Sequence, residues 1–161
     1  ADLAEKCREL ELVCFPHADP DELISADDFR AYARVFPEGF FVCLEGDRVV
    51  GDATLHRNRS GWKQRVGTVR VQIAVDFRHR GLGTAMLREM RHLGEKSALH
   101  YLLAEAIEEQ QAAIRAFEKM GFVRKGVYRN FVNDQKGILH NLVVLLYPMG
   151  DSRREALSIP P

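Results

Sequence analysis

Arg78, His79 and Arg80 stand directly before two glycines one residue apart, Gly81 and Gly83, and the hydroxyl of Thr84 follows at once. The surrounding stretch AVDFRHRGLGTAML, residues 74–87, leaves strand-forming residues and enters helix-forming ones. A strand, a glycine-rich turn and a helix start together suit an anion. Backbone N–H groups point outward there and the helix dipole favours negative charge. Glycine lets the main chain approach a phosphate with no Cβ in the way. Two well-known phosphate loops do not fit. A P-loop needs Gly-Lys-Ser/Thr after a longer spacer, whereas Gly83 is followed by Thr84-Ala85. A dinucleotide fingerprint needs a third glycine where Met86 stands, and no second parallel strand ends in an acid for a ribose. A tight turn that needs glycine for shape alone is the remaining alternative.

The neighbouring segments decide what holds such a loop. VGTVRVQIAV alternates and is rich in Val and Ile, which predicts a strand entering the loop. After the loop, Leu82, Ala85, Met86, Met90 and Leu93 recur at helical spacing, which predicts a helix from about Leu82 to Ser97. HYLLAEAI reads as a short buried strand. EQQAAIRAFEKMG reads as a helix with Ala113, Ile114, Phe117 and Met120 on one face and Gly121 just past its end. FVRKGVYRNFV and HNLVVLLY close the chain as two strands around the turn-rich NDQKGIL.

Upstream, Leu3, Cys7, Leu10 and Cys14 recur at helical period and predict a first helix through ADLAEKCRELELVCF. SADDFRAYARVF, capped at Ser25 or Asp27, predicts a second. GFFVCLEGDRVVGDATLHR reads as a hairpin turning at Glu45-Gly46-Asp47. The expected order is therefore helix, helix, hairpin, strand, helix, strand, helix, strand, strand. That is an α/β fold with a mixed sheet, parallel around its central strand-helix-strand unit. Residues 1–148 are expected to form one domain and 149–161 a peripheral tail.

Composition narrows the function classes. The 161 residues carry 23 basic and 23 acidic side chains, so nothing in the charge draws a nucleic acid. Cys7, Cys14 and Cys43 form no CxxC pair, which points to a reducing, cytoplasmic setting and away from a zinc site. The six histidines lack ligand spacing, so no metal is expected, and His79 and His92 read as solvated. No apolar run approaches the roughly 18 residues of a membrane span, and no signal peptide is evident. The chain opens at Ala1 inside a helical pattern, as a trimmed or excised piece of something longer would.

Arg78-x-x-Gly81-x-Gly83 after an alternating strand resembles the acyl-CoA signature of the GNAT superfamily of N-acyltransferases. The later stretch QQAAIRAFEKMGF is similar to that family's second pattern, NxxAxxxYxKxGF, which Ala113, Lys119, Gly121 and Phe122 match. The element order agrees over nearly the whole chain, except that the family's usual first strand is expected to be absent here. The resemblance implies acetyl transfer from acetyl-CoA, as cosubstrate, to an amine of a small molecule, peptide or protein. It implies that the main chain of Arg78, His79, Arg80, Gly81, Leu82, Gly83 and Thr84 receives the CoA pyrophosphate. Thr84 would add a hydroxyl, and Arg78 and Arg80 would add charge. The pantetheine arm would pair with the central strand at Val71 and Ile73, in a splay beside the next strand. An N–H near Ile73 would face the thioester oxygen.

Two positions depart from the pattern. Gln110 stands where the family prefers Asn against the arm, and Phe117 where many members use Tyr to protonate the leaving thiolate. Tyr128 or a water is the implied substitute, or the thiolate leaves unprotonated, with Phe117 left against the sulfur. The central strand has no carboxylate from Gly67 to Val75. Glu105 is then the implied base, as in ribosomal-protein N-terminal acetyltransferases, which carry a glutamate at that spacing. Its alternative is a solvent-facing or Arg-paired carboxylate. Glu108 and Glu109 read as helix-start charges.

The implied acceptor site lies between the first two helices and the last hairpin. Asp19, Asp21, Glu22, Asp27 and Asp28 are there to draw a cationic amine or simply to form a solvated loop. On the other wall, Asn133, Asp134, His140 and Asn141 read first as turn chemistry. A homodimer is left open. A CoA-binding regulatory or sensor domain without turnover is the alternative reading, and acyl-CoA chemistry without an amine acceptor, such as decarboxylation, is a third.

Overall fold

The computed structural model describes residues 5, 6, 9, 10, 13–16 and 40–150. The chain divides into two compact units, one from residues 1–56 and 69–93, the other from 57–68 and 94–161. The fold is mixed α/β.

In the first unit the strand order is β1-β2-β3-β4, with β1 at Val13–Pro16, β2 at Phe40–Glu45, β3 at Arg48–Arg57 and the end of β4, Val66–Ile73. β2 and β3 form the expected hairpin; Gly46 takes φ +57° at the turn, where glycine has no Cβ penalty. A 3₁₀ turn, Val75–Phe77, follows β4 and leads to helix α1, Leu82–Lys96. Leu82, Ala85, Met86 and Met90 are buried along α1 together with Val50, Ala53 and Val69. Leu93 is only half-buried, whereas Leu87 is 3% exposed, so the apolar stripe is wider and rotated from the one expected. Gly51 allows the close approach of β3. A Cβ there would lie 3.1 Å from Ile73 Cδ1 and 3.2 Å from Leu82 Cδ2, the two ends of the glycine-rich loop.

In the second unit the order is β4-β5-β7-β6, with β5 at Tyr101–Ile107, β6 at Val123–Asn133 and β7 at Leu139–Pro148. β4 and β5 are parallel over Val66–Thr68 and Tyr101–Leu103; the other pairs are antiparallel, so the sheet is mixed as expected. Leu102, Ala104, Ala106, Val143, Leu145 and Tyr147 are buried on one face. Helix α2, Gln111–Lys119, buries Ile114 and Phe117.

One expectation is corrected. The first helix does not continue through Cys14: Glu5, Lys6 and Glu9 are helical, but Val13–Pro16 form β1, antiparallel to β2. Val13 and Phe15 favour extended backbone, and pairing with β2 outweighs a helical period that local spacing alone suggested. Met149 is 4% exposed, and its N–H donates to His100 O at 2.8 Å. The second predicted helix, the acids from Asp19 to Asp28 and the tail from residue 151 lie outside the described residues.

Candidate functional site

The first unit carries the loop between β4 and α1. Ala74 N–H donates to Val50 O at 2.8 Å, and the 3₁₀ turn is pinned from β3 by Arg48, whose guanidinium donates to both Asp76 oxygens at 2.7 and 2.8 Å. The hydrogen bonds from Arg48 hold the Asp76 carboxyl below its ordinary range. Phe77 is buried, and the Arg80 guanidinium lies 4.8 Å from the centre of its ring. Arg78 Nε donates to Ile73 O at 3.1 Å, which ties the loop back to the strand it leaves. Arg78 thus shapes the loop as well as charging it.

His79 and Gly81 adopt φ +60° and +84°. The left-handed region costs glycine little, whereas it is uncommon for histidine. Gly81 O accepts Ala85 N–H at 3.1 Å, which closes the first turn of α1. The N–H groups of Leu82, Gly83 and Thr84 precede any intrahelical acceptor. Leu82 anchors the turn with its side chain buried, while Gly81 and Thr84 are exposed. A Cβ on Gly83 would meet only Ile73 Cγ1, at an ordinary 3.5 Å, so packing does not demand glycine there. Val71 and Ile73 are half-buried on β4. The loop residues and these two strand positions therefore come together in one unit, and they fit a phosphate-bearing ligand: helix-start N–H groups without an intrahelical acceptor, with cations beside them.

Lys6 joins them. The side of Gly81 where a Cβ would sit faces Lys6 Cε at 3.3 Å and Nζ at 3.4 Å, and the same ammonium pairs with Glu9. Nothing in the sequence signals this, since the contact joins a residue near Ala1 to the loop.

The second unit carries the other predicted residues. Glu105 is exposed on β5, opposite Val144, on the face away from Ala104 and Ala106. Ile107 pairs with Leu142, and Leu142 with Tyr128, so Tyr128 lies on the Glu105 face. The two are two strand spacings apart, roughly 10 Å, and offset by about 7 Å along the strands. Tyr128 is 55% exposed and packs on Phe131, ring centres 5.1 Å apart, at a bulge that ends at Val132.

Gln110 is exposed and folds back on its own turn: its Oε1 accepts Ile107 N–H at 3.2 Å, and its own N–H donates to Ile107 O at 2.9 Å. Phe117 is 9% exposed and meets Phe122 edge-on, centres 5.1 Å apart. That contact belongs to a helix stop. Phe122 N–H donates to Phe117 O, Gly121 N–H to Glu118 O, and Gly121 takes φ +96°. The spacing Phe117-x-x-x-Gly121-Phe122 thus closes α2 before it does any chemistry.

Among the described residues, no three His, Cys, Asp or Glu side chains are grouped to hold a metal ion, and no helix is long and apolar enough to cross a membrane.

The family model described as "Acetyltransferase (GNAT) family" matches residues 4–122. N-alpha-acetyltransferase 30 of Schizosaccharomyces pombe is 24% identical over 132 residues, covering 81% of this chain and 85% of that protein. The acetyltransferase of the GNAT family from Streptococcus pneumoniae superposes with a TM-score of 0.67 at 16% identity, over 92% of this chain and 96% of that one. yncA of Salmonella typhimurium, solved with its cofactor acetyl-CoA, superposes with a TM-score of 0.63 at 18% identity. The match covers 70% of this chain and 65% of that one.

Proposed function

Because the chain belongs to the acetyltransferase (GNAT) family, we propose that it moves an acetyl group from acetyl-CoA to an amine by direct attack, with the α-amino group of a peptide or protein as acceptor class. The observation that carries the reading is the helix start at Gly81: left-handed glycine, three N–H groups ahead of any helical acceptor, and Arg80 beside them. Those N–H groups receive the pyrophosphate. Val71 and Ile73 offer a strand edge to the pantetheine arm, and the N–H near Ile73 supports charge on the thioester oxygen as it develops. Glu105 takes the proton from the amine; the C–N bond forms, the C–S bond breaks, and the thiolate leaves, protonated by Tyr128 or water. The similarity to N-alpha-acetyltransferase 30 supports the α-amino acceptor. We assign the protein to the cytoplasm, where an acetyl-CoA-dependent transferase meets its cosubstrate.

Phe117 favours a second reading, a CoA-binding sensor, because its ring closes a helix and has no proton to give. Calorimetry with acetyl-CoA, followed by thiol release against peptides, polyamines and small amines, separates the two. Binding with amine-dependent release supports transfer. Binding without release supports the sensor, and no binding overturns both.

A further inference from the structure

A cluster of titratable side chains lies in the second unit, where the β6–β7 turn meets the connection between β5 and α2. His140 Nε2 is hydrogen-bonded to Asp134 Oδ2 at 3.2 Å, and Nδ1 lies 3.3 Å from Glu109 Oε1. Nδ1 has no aligned hydrogen bond, so its contact with Glu109 is charge attraction alone. Asp134 also folds the β6–β7 turn, accepting Lys136 N–H at 2.8 Å and Ile138 N–H at 3.0 Å on Oδ1. Next to His140, Asn141 accepts Asn130 N–H at 2.9 Å and donates to Glu108 Oε2 at 2.8 Å, while its carbonyl accepts Glu108 N–H at 2.9 Å. The hairpin is thereby tied to the connection between β5 and α2.

A neutral imidazole donates from one nitrogen only, so its other lone pair would face a carboxylate that can only accept. Both nitrogens here face carboxylates, and the protonated ring alone suits both. The side chain is 18% exposed, which limits screening by water. Register places His140 on the face of Leu142 and Val144, the face that carries Glu105 and Tyr128.

We propose that His140 is a positioning residue: protonated between Asp134 and Glu109, it fixes the hairpin bearing Tyr128 to the connection bearing Gln110, and so holds Tyr128 in place across the face from Glu105. The proposal rests on the transferase reading for its catalytic consequence, but not for the latch itself. The hydrogen bond to Asp134, then the Glu109 carboxylate beside Nδ1, raises the His140 pKa above its ordinary 6.5. The latch is therefore complete below 6.5 and is lost as pH rises through the folded-state value. Asp134 and Glu109 are both held below their ordinary values, so their charge survives until the pH falls through those lowered values. The charged groups that face the ring are Asp134 from the turn and Glu109 from the connection. Glu108 is engaged by Asn141, and Lys136 meets Asp134 through its main chain.

NMR of the full chain between pH 5.5 and 8.5 tests the latch. The His140 ring should titrate above 6.5, with the Lys136 and Ile138 amides following the same midpoint. In Glu109→Gln that midpoint should fall toward 6.5, and the same amides should shift although Glu109 does not touch them. In His140→Gln the amides should show no step. Thiol release from acetyl-CoA with a tetrapeptide bearing a free amino terminus tests the consequence. At pH 6.5, His140→Gln should lower kcat/KM for the peptide at least fivefold, with the Kd for acetyl-CoA within twofold of wild type. The deficit should close as pH passes the His140 midpoint. A ring that titrates at or below 6.5, amides that ignore it, or a deficit that is constant with pH overturns the proposal. A wild-type chain that binds no acetyl-CoA overturns the transferase reading instead, and the NMR result still judges the latch.

Discussion

At the scale of single residues, the loop separates two demands on glycine that sequence cannot separate. Gly81 takes φ +84°, so its backbone asks for glycine. Gly83 has helical backbone, and an added Cβ would find ordinary space. If Gly83 is there so that phosphate can approach the main chain, Gly83→Ala should leave the fold intact, with up to about 1 kcal/mol gained from helix propensity. Affinity for acetyl-CoA should fall at least tenfold, about 1.4 kcal/mol. Calorimetry and a thermal melt on the same variant check both halves, and unchanged affinity would remove Gly83 from the site. Glu105 is exposed at the middle of β5, free of the α2 packing that occupies Phe117. Glu105→Gln should lower kcat/KM by roughly 10²-fold or more at neutral pH, the typical worth of a general base. The loss should shrink at high pH, where the free amine is abundant. Wild-type rates throughout the pH range would assign the proton to water or another group.

Elements show where the sequence was legible and where it was not. The strand, loop and helix around Gly81 were readable because alternation, glycine spacing and helical period all fall within about thirty adjacent residues. The end of α2 was legible at Gly121, which reads as the residue just past the helix, but not at Phe117, which was read against the sulfur: Phe117, Gly121 and Phe122 satisfy the last carbonyls and pack ring on ring. The start of the chain was misread because Cys14 extends the helical spacing of Leu3, Cys7 and Leu10, whereas the pairing of β1 with β2 joins residues well separated along the chain. His140 and Asn141 were read as turn residues for the same reason, since Glu109 and Glu108 reach them from another element. Gly121→Ala measures the stop. It forces a Cβ onto φ +96° and to 3.0 Å from Tyr147 Cε2, so it should cost about 1–2 kcal/mol. That is roughly 2–8 °C in Tm for a chain of this size. Gly126→Ala on β6 meets nothing within 4 Å and has no positive φ, so it should change stability by less than about 0.5 kcal/mol. Equal melting losses in the two variants would mean that the left-handed stop carries no special strain.

At the scale of the whole molecule, the loop and β4 positions belong to one unit, and Glu105, Gln110, Phe117 and Tyr128 to the other. A ligand stabilises each unit that it engages, because it binds the folded form and not the unfolded one. Hydrogen exchange with and without acetyl-CoA reads the two contributions separately. At about a hundredfold excess over Kd, ligand linkage is worth roughly 2.7 kcal/mol, enough to slow exchange where opening releases the ligand. Protection should rise at the Leu82, Gly83 and Thr84 amides in the first unit and at Ile107 to Gln111 in the second. S-acetylpantetheine, which lacks the pyrophosphate, should lose the effect at residues 82–84 while retaining part of it, at higher concentration, along β5. Protection confined to the first unit would mean that the loop binds CoA with no engagement of Glu105, and the sensor reading would then describe the chain better than the transferase.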